Sequence, residues 1–107
     1  MDAVSRLKMN KRKLSLKSKK NLPRLSEFLQ ASRVNANLLQ KDVASALGYQ
    51  TVQFISEWER GVRSPPGNVL KKLVTLYSIG IDEFYEVLRA ERIRILEEDL
   101  KKDLFDL

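Results

Sequence analysis

Histidine and cysteine are both absent from this sequence, and their absence removes most of the chemistry open to a small protein. Zinc sites, thiol chemistry, disulfide bonds and histidine-based catalysis are excluded. Apolar runs are only a few residues long, so the sequence predicts neither a membrane-spanning helix nor a secretory segment, and we expect a cytoplasmic protein. We therefore expect no enzymatic activity, no metal and no other cofactor.

Basic residues, in contrast, are abundant. Of 107 residues, 20 are Lys or Arg and 14 are Asp or Glu, which gives a net charge of +6. The length allows one small domain with modest extensions. A positive charge of this size favours an anionic partner, and nucleic acid is the commonest anionic polymer that such a domain meets.

The charge is distributed unevenly along the chain. Residues 1–24 carry +8, residues 25–80 carry +2, and residues 81–107 carry −4. Residues 1–20 show no sustained hydrophobic periodicity, and we predict that they form a mobile basic arm. Two interpretations of the arm stay open: it contacts nucleic-acid phosphates without sequence preference, or it is a solvated tail.

The spacing of apolar residues predicts an all-α domain of five helices over residues 21–88, since strand-like alternation is convincing nowhere. Glycines follow the second and third helices, and the stretch VRSPPG forms a loop. The predicted helices begin at Asn21, at Gln40, shortly after Gln50, at Asn68 and at Gly80, and the last of them continues beyond Leu88.

The third predicted helix has two different faces. Steps of 100° per residue from Ile55 place five residues on the side of the core: Thr51, Val52, Phe54, Trp58 and Glu59. The opposite side is rich in amide and hydroxyl side chains, which suit hydrogen bonding to base edges. An ordinary solvated helix would also have two faces, so this pattern alone leaves both interpretations open. The outer face carries Gln50, Gln53, Ser56, Glu57 and Arg60.

The segment QKDVASALGYQTVQFISEWERG, from Gln40 to Gly61, joins two short helices through a turn that contains glycine. It resembles the phage-repressor and Cro family of helix-turn-helix proteins, the XRE type, and the likeness extends over residues 22–88. The resemblance implies a lambda-repressor-like domain that binds double-stranded DNA. It also implies that the third helix, about Thr51 to Arg60, lies in the major groove.

The same resemblance implies roles for individual residues. Gln53 is the expected principal base reader, with adenine as its natural partner, and Gln40 is expected to contact a phosphate. Arg33 and Glu59 match a largely buried ion pair of the family, which joins the first helix to the third. The full set expected to contact DNA is Gln40, Lys41, Gln50, Thr51, Val52, Gln53, Ser56, Glu57, Arg60 and Arg63.

Two features depart from the family pattern. Seven steps separate Gly48 from Ile55 where six are usual, so the turn or the start of the third helix must differ. Leu39 stands at the N-cap of the second helix, where the family usually has a residue whose side chain caps the helix.

Residues 89–107 predict an acidic, amphipathic helical extension, because apolar residues recur at spacings of three or four. The extension can pack on the domain, fray, or join two copies of the chain. We favour a homodimer, since palindromic sites require two-fold symmetry. The apolar residues are Ile93, Leu96, Leu100, Leu104 and Leu107.

Together these features predict a sequence-specific transcriptional regulator, most simply a repressor that occupies a palindromic operator. Two alternatives stay open. The chain can be the antitoxin of a toxin–antitoxin pair, or an adaptor that keeps the fold for protein interaction without reading DNA. A protein partner, such as a toxin or RNA polymerase, is compatible with these interpretations.

Overall fold

The computed structural model describes residues 22–105, and these residues form five α-helices with no strand among them. This architecture confirms the predicted all-α class. The basic arm and Leu107 lie outside the described residues. No helix within residues 22–105 combines the length and the apolar character needed to cross a membrane. The helices are α1 (Leu25–Asn35), α2 (Gln40–Leu47), α3 (Gln53–Arg60), α4 (Gly67–Tyr77) and α5 (Ile81–Phe105).

One hydrophobic core receives side chains from all five helices. The rings of Phe28 and Phe84 stack with centroids 5.8 Å apart and thereby join α1 to α5. Ile55 from α3 and Leu73 from α4 are completely buried near the centre. The core is formed by Leu25, Phe28, Leu29, Val43, Ala44, Ile55, Trp58, Val69, Leu73, Tyr77, Phe84 and Val87.

Helix α1 begins at Leu25, so the prediction that it starts at Asn21 is wrong. The backbone of Arg24 is extended, with ψ of 151°, and the residue before Pro23 is disfavoured from helical geometry by the proline ring. The backbone N–H groups at the start of α1 donate to two carboxylates. That of Arg24 donates to Glu27 at 3.4 Å, and that of Leu25 donates to Glu91 at 3.1 Å. The acceptor from α5 ties the two ends of the domain together.

Helix α5 passes Leu88 without a break and continues to Phe105, as the lack of glycine and proline in this stretch predicted. Phe84 and Val87 bury its first turns in the core. All residues from 95 to 105 are exposed. At 1.5 Å per residue, this last part extends roughly 16 Å beyond the region that packs on the domain.

The connection between α4 and α5 contains a residue in an unfavourable conformation. Ser78 ends α4 with φ of +52° and ψ of +46°, in the left-handed region that disfavours residues with a Cβ atom. Its side chain is exposed, and its N–H donates to the carbonyl of Thr75 at 3.4 Å. The strain is therefore local to the backbone.

Replacing Ser78 by glycine should stabilise the protein by about 1 kcal/mol, because glycine has no Cβ to clash in this conformation. Thermal unfolding followed by circular dichroism measures the change. Ser45→Gly, at an exposed position inside α2, is the matched control and should lower the stability, since glycine is a poor helix former. A Ser78→Gly protein that melts below the wild type would contradict this account.

Candidate nucleic-acid interface

Helices α2 and α3 are joined by a turn that is longer than the family pattern. Gly48 closes α2 with φ of +83°, a left-handed conformation that glycine adopts without strain. The N–H of Tyr49 then donates to the carbonyl of Ala44 at 2.8 Å. Residues 49–52 are irregular, and α3 starts only at Gln53.

The prediction that the third helix starts near Thr51 is therefore wrong by two residues. Val52 precedes the helix with φ of −87° and ψ of 4°. The hydroxyl oxygen of Thr51 accepts a hydrogen bond from the N–H of Gln53 at 3.3 Å. It thereby satisfies one of the N–H groups that have no helical partner in the first turn. The extra residue of the turn is accommodated before the helix. Gln50, Thr51 and Val52 consequently lie exposed in the turn. The prediction that Thr51 and Val52 face the core is wrong, because both residues precede the helix.

An aromatic cluster supports this longer turn. The ring of Tyr49 lies 5.1 Å from that of Phe54 and 6.1 Å from that of Trp58, measured between centroids. Trp58 is buried as expected, but Phe54 is 42% exposed, so its predicted place in the core is wrong. Phe54 instead covers the half-buried Tyr49, a contact that sequence spacing alone does not reveal.

An ion pair between Arg33 and Glu59 joins α1 to α3. The Nε of Arg33 donates to Oε2 of Glu59 at 2.6 Å, and its Nη2 donates to Oε1 at 3.0 Å. Its Nη1 donates to the carbonyl of Leu38 at 2.8 Å, in the loop before α2. The Glu59 side chain is only 4% exposed, so this bidentate pair replaces the water that the carboxylate loses on folding.

Two further groups belong to this buried pair. The Nε2 of Gln40 donates to Oε1 of Glu59 at 3.0 Å and so links the first residue of α2 to the same carboxylate. Burial raises the pKa of Tyr77 to about 12, and the nearby charge of Glu59 contributes to the shift. The hydrogen bonds that Arg33 donates to Glu59 raise the pKa of Arg33. Burial alone would lower the pKa of Arg33, so its rise reflects the contact with Glu59.

The outer face of α3 carries exposed polar side chains. Gln53 lies exposed in the first turn of the helix, and Arg60 lies exposed in the last. The half-buried Ser56 lies between them and accepts a hydrogen bond from Nε of Arg60 at 3.1 Å. Lys41 is exposed at the start of α2 and adds a positive charge.

Glu57 belongs to this outer face by its helical angle, but its expected exposure there is wrong, because only 9% of the residue is exposed. Its Oε2 accepts a hydrogen bond from Nε2 of Gln53 at 3.3 Å, and its Oε1 accepts one from Nε of Arg63 at 2.9 Å. The loop after α3 returns over the helix and brings Arg63 to the carboxylate. A helical projection considers only one helix and therefore does not show that the following loop covers Glu57.

The hydrogen bond from Gln53 is the main cause that lowers the pKa of Glu57 below its ordinary value. Burial opposes this shift, and Arg63 adds to it through a hydrogen bond and its charge. Glu57 is thus held as a carboxylate between the expected base reader and a basic residue of the following loop. The contact with Arg63 had no local signal in the sequence, since Gly61 reverses the chain between them.

Two short helices, α2 and α3, joined by a turn that contains glycine and with an exposed polar face on the second, have the geometry of a helix-turn-helix unit. A family model described as helix-turn-helix matches residues 29–84, more than half of the chain. The chain belongs to the Cro and repressor-like helix-turn-helix family of the XRE type. Searches of curated proteins and of solved structures each found no significant match.

This helix-turn-helix protein is accordingly a DNA-binding regulator of the XRE type, from a family whose members are not typically enzymes. The family match contains α2, α3, α4 and most of α1. It ends at Phe84, in the first turns of α5. Most of α5 therefore lies beyond the matched residues.

Glu59→Ala should destabilise this helix-turn-helix protein by about 3–5 kcal/mol, because the substitution leaves Arg33 buried without its partner. Chemical unfolding monitored by tryptophan fluorescence measures the loss, since Trp58 lies in the core. Glu98→Ala, at an exposed position of α5, is the control and should change stability little. Equal unfolding midpoints for Glu59→Ala and the wild type would argue against a structural role for the pair.

Proposed function

We propose that this protein is a sequence-specific cytoplasmic repressor that inserts α3 into the major groove of double-stranded DNA. The observation that carries the proposal is the position of Gln53, exposed in the first turn of α3, while Ile55 and Trp58 are buried behind it. In this docking mode the first residues of the recognition helix contact base edges. Repression then follows when the bound protein covers a site that polymerase needs.

Gln53 is proposed to read adenine. Its Nε2 has two hydrogens, and one of them is directed to Glu57. The second hydrogen can be donated to N7 of adenine, and the amide oxygen can accept a hydrogen bond from N6. These two bonds form the bidentate pairing of glutamine with adenine. Glu57 would fix the amide in the orientation that this pairing requires, so it would position the reader without contacting the base.

The basic side chains around α3 are proposed to hold the sugar-phosphate backbone. Arg60 and Arg63 are exposed at the end of α3 and in the loop after it. Gln40 keeps one amide hydrogen that Glu59 does not use, and this hydrogen can go to a phosphate, with Lys41 beside it. These contacts would set the register and not the sequence. The remaining contacts are assigned to Gln50, Thr51, Val52 and Ser56.

A repressor of this kind reads two half-sites. Because one α3 covers only a few base pairs, a palindromic operator needs two copies related by a two-fold axis. The base contacts of each α3 do not depend on the surface through which the two copies bind each other.

Selection from a random duplex library tests the proposal. We expect an enriched palindromic motif, and Gln53→Ala should relax the preference at one base position of each half-site. Arg60→Ala is the matched comparison and should weaken all sites alike, with a salt slope that is shallower by about one. A protein-interaction adaptor would enrich no site, and an unchanged motif for Gln53→Ala would reject Gln53 as the reader.

Glu57→Ala should have two separate effects on DNA binding. The base preference opposite Gln53 should relax, because its amide is no longer held by the carboxylate. Binding to random DNA should become stronger and its salt slope steeper by about one, because the charge of Glu57 no longer offsets that of Arg63 beside the phosphate. Fluorescence anisotropy at several salt concentrations measures both. Glu98→Ala is the charge-matched control. An unchanged base preference for Glu57→Ala would contradict the positioning role of Glu57, and identical slopes for the two variants would contradict its compensation of Arg63.

A further inference from the structure

The part of α5 beyond the core carries an exposed stripe of large side chains. Between 40% and 69% of Ile93, Leu96, Leu100 and Leu104 is exposed. Tyr85, which is 55% exposed, and the exposed Arg89 continue the stripe toward the start of the helix. We refer to Tyr85, Arg89, Ile93, Leu96, Leu100 and Leu104 as the α5 stripe.

The α5 stripe faces away from the core of the domain to which it belongs. At 100° per residue, its four aliphatic members are centred roughly 165° from the direction of Phe84 and Val87, which are buried in the core. The aliphatic side chains of the stripe therefore point away from the core, and only the first half of the stripe lies beside another helix of its domain, next to Leu70 of α4. An apolar stripe of this length is suited to a partner outside the chain.

The spacing within the α5 stripe is symmetric. Successive members are separated by four, four, three, four and four residues, so the order of intervals is unchanged when the helix is reversed. A second copy in antiparallel orientation places Ile93 opposite Leu96, Arg89 opposite Leu100, and Tyr85 opposite Leu104. Two identical stripes related by a two-fold axis thus match along their whole length.

The charges beside the α5 stripe favour the same orientation. Residues 88–94 carry +2, and residues 97–103 carry −2. An antiparallel pair brings each positive half against a negative half, whereas a parallel pair in register brings like charges together. Arg92 and Asp99 lie on the same flank of the stripe because they are seven residues apart, and a two-fold axis brings each near the other in the second copy.

A shallow groove at the positive half offers room for the second helix. It has a volume of about 350 Å³, and neither Arg89 nor Arg92 forms an ion pair with any residue from 22 to 105. Leucines at the negative end of a second α5 would meet apolar walls here, next to two arginines that complement its charge. The groove is lined by Leu70, Tyr85, Leu88, Arg89, Arg92 and Ile93.

We propose that two copies of this chain pair through their α5 stripes in antiparallel orientation, with the negative half of each helix against the groove of the other. This pairing supplies the two-fold symmetry that a palindromic operator needs. It does not depend on DNA binding, so the two proposals are tested separately.

Sedimentation equilibrium of the full chain without DNA tests the pairing. The wild type should sediment as a dimer of about twice 12.4 kDa. Leu100→Lys should weaken the association at least tenfold, because each dimer buries this leucine twice. Ile95→Lys is the matched control: Ile95 is 41% exposed but lies off the stripe, and the variant should remain a dimer.

A charge exchange tests the orientation. Arg92→Glu and Asp99→Arg should each weaken self-association, because each places like charges together twice per dimer. Mixed in equal amounts, the two variants should associate again, since both cross-pairs are then opposite in charge. Circular dichroism checks that each variant keeps its helix content. A monomeric wild type at about 100 μM, a dimer unaffected by Leu100→Lys, or a mixture that does not associate would overturn the proposal.

Discussion

The ion pair between Arg33 and Glu59 is the interaction on which the rest of this structure depends. Helices α2 and α3 have only eight residues each, too short to be stable alone, and their orientation must come from tertiary contacts. The hydrophobic core supplies most of the attraction, but it is not directional. The bidentate pair is directional, and the added bond from Gln40 ties α1, α2 and α3 to one carboxylate.

A second carboxylate shapes the face that α3 presents. A negative charge in a surface that approaches DNA is unfavourable unless it is compensated, and Glu57 is compensated by Gln53 and Arg63. The arrangement lowers the net positive charge available for phosphates but orders the side chain proposed to contact a base. In this account the protein gives up some nonspecific attraction in return for a defined donor and acceptor pattern.

The features that the sequence predicted correctly depend on neighbouring residues or belong to the family pattern. Apolar periodicity located all five helices, and Gly48 and Gly61 marked the ends of two of them. The resemblance pointed to the partner of Arg33. The start of α3 was missed because the longer turn is stabilised by Tyr49, whose contacts with Phe54 and Trp58 depend on the fold.

The errors at Phe54 and Glu57 share one physical cause. A helical projection assigns burial from the angle within one helix, whereas the cover comes from other segments. Phe54, expected in the core, lies exposed beside the turn at Tyr49, and Glu57, expected in solvent, is buried under the loop that carries Arg63. The apolar pattern of α5 was visible in the sequence, but its direction away from the core required the structure.

The face of α3 that Arg33 and Glu59 hold in place is the surface proposed to read DNA. Amide chemical-shift mapping of the labelled chain, with a duplex recovered by selection, shows which residues the DNA contacts. Large shifts are expected at residues 40–41 and 50–63, and small ones beyond residue 94. Large shifts confined to α5, with residues 50–63 unchanged, would contradict this proposal.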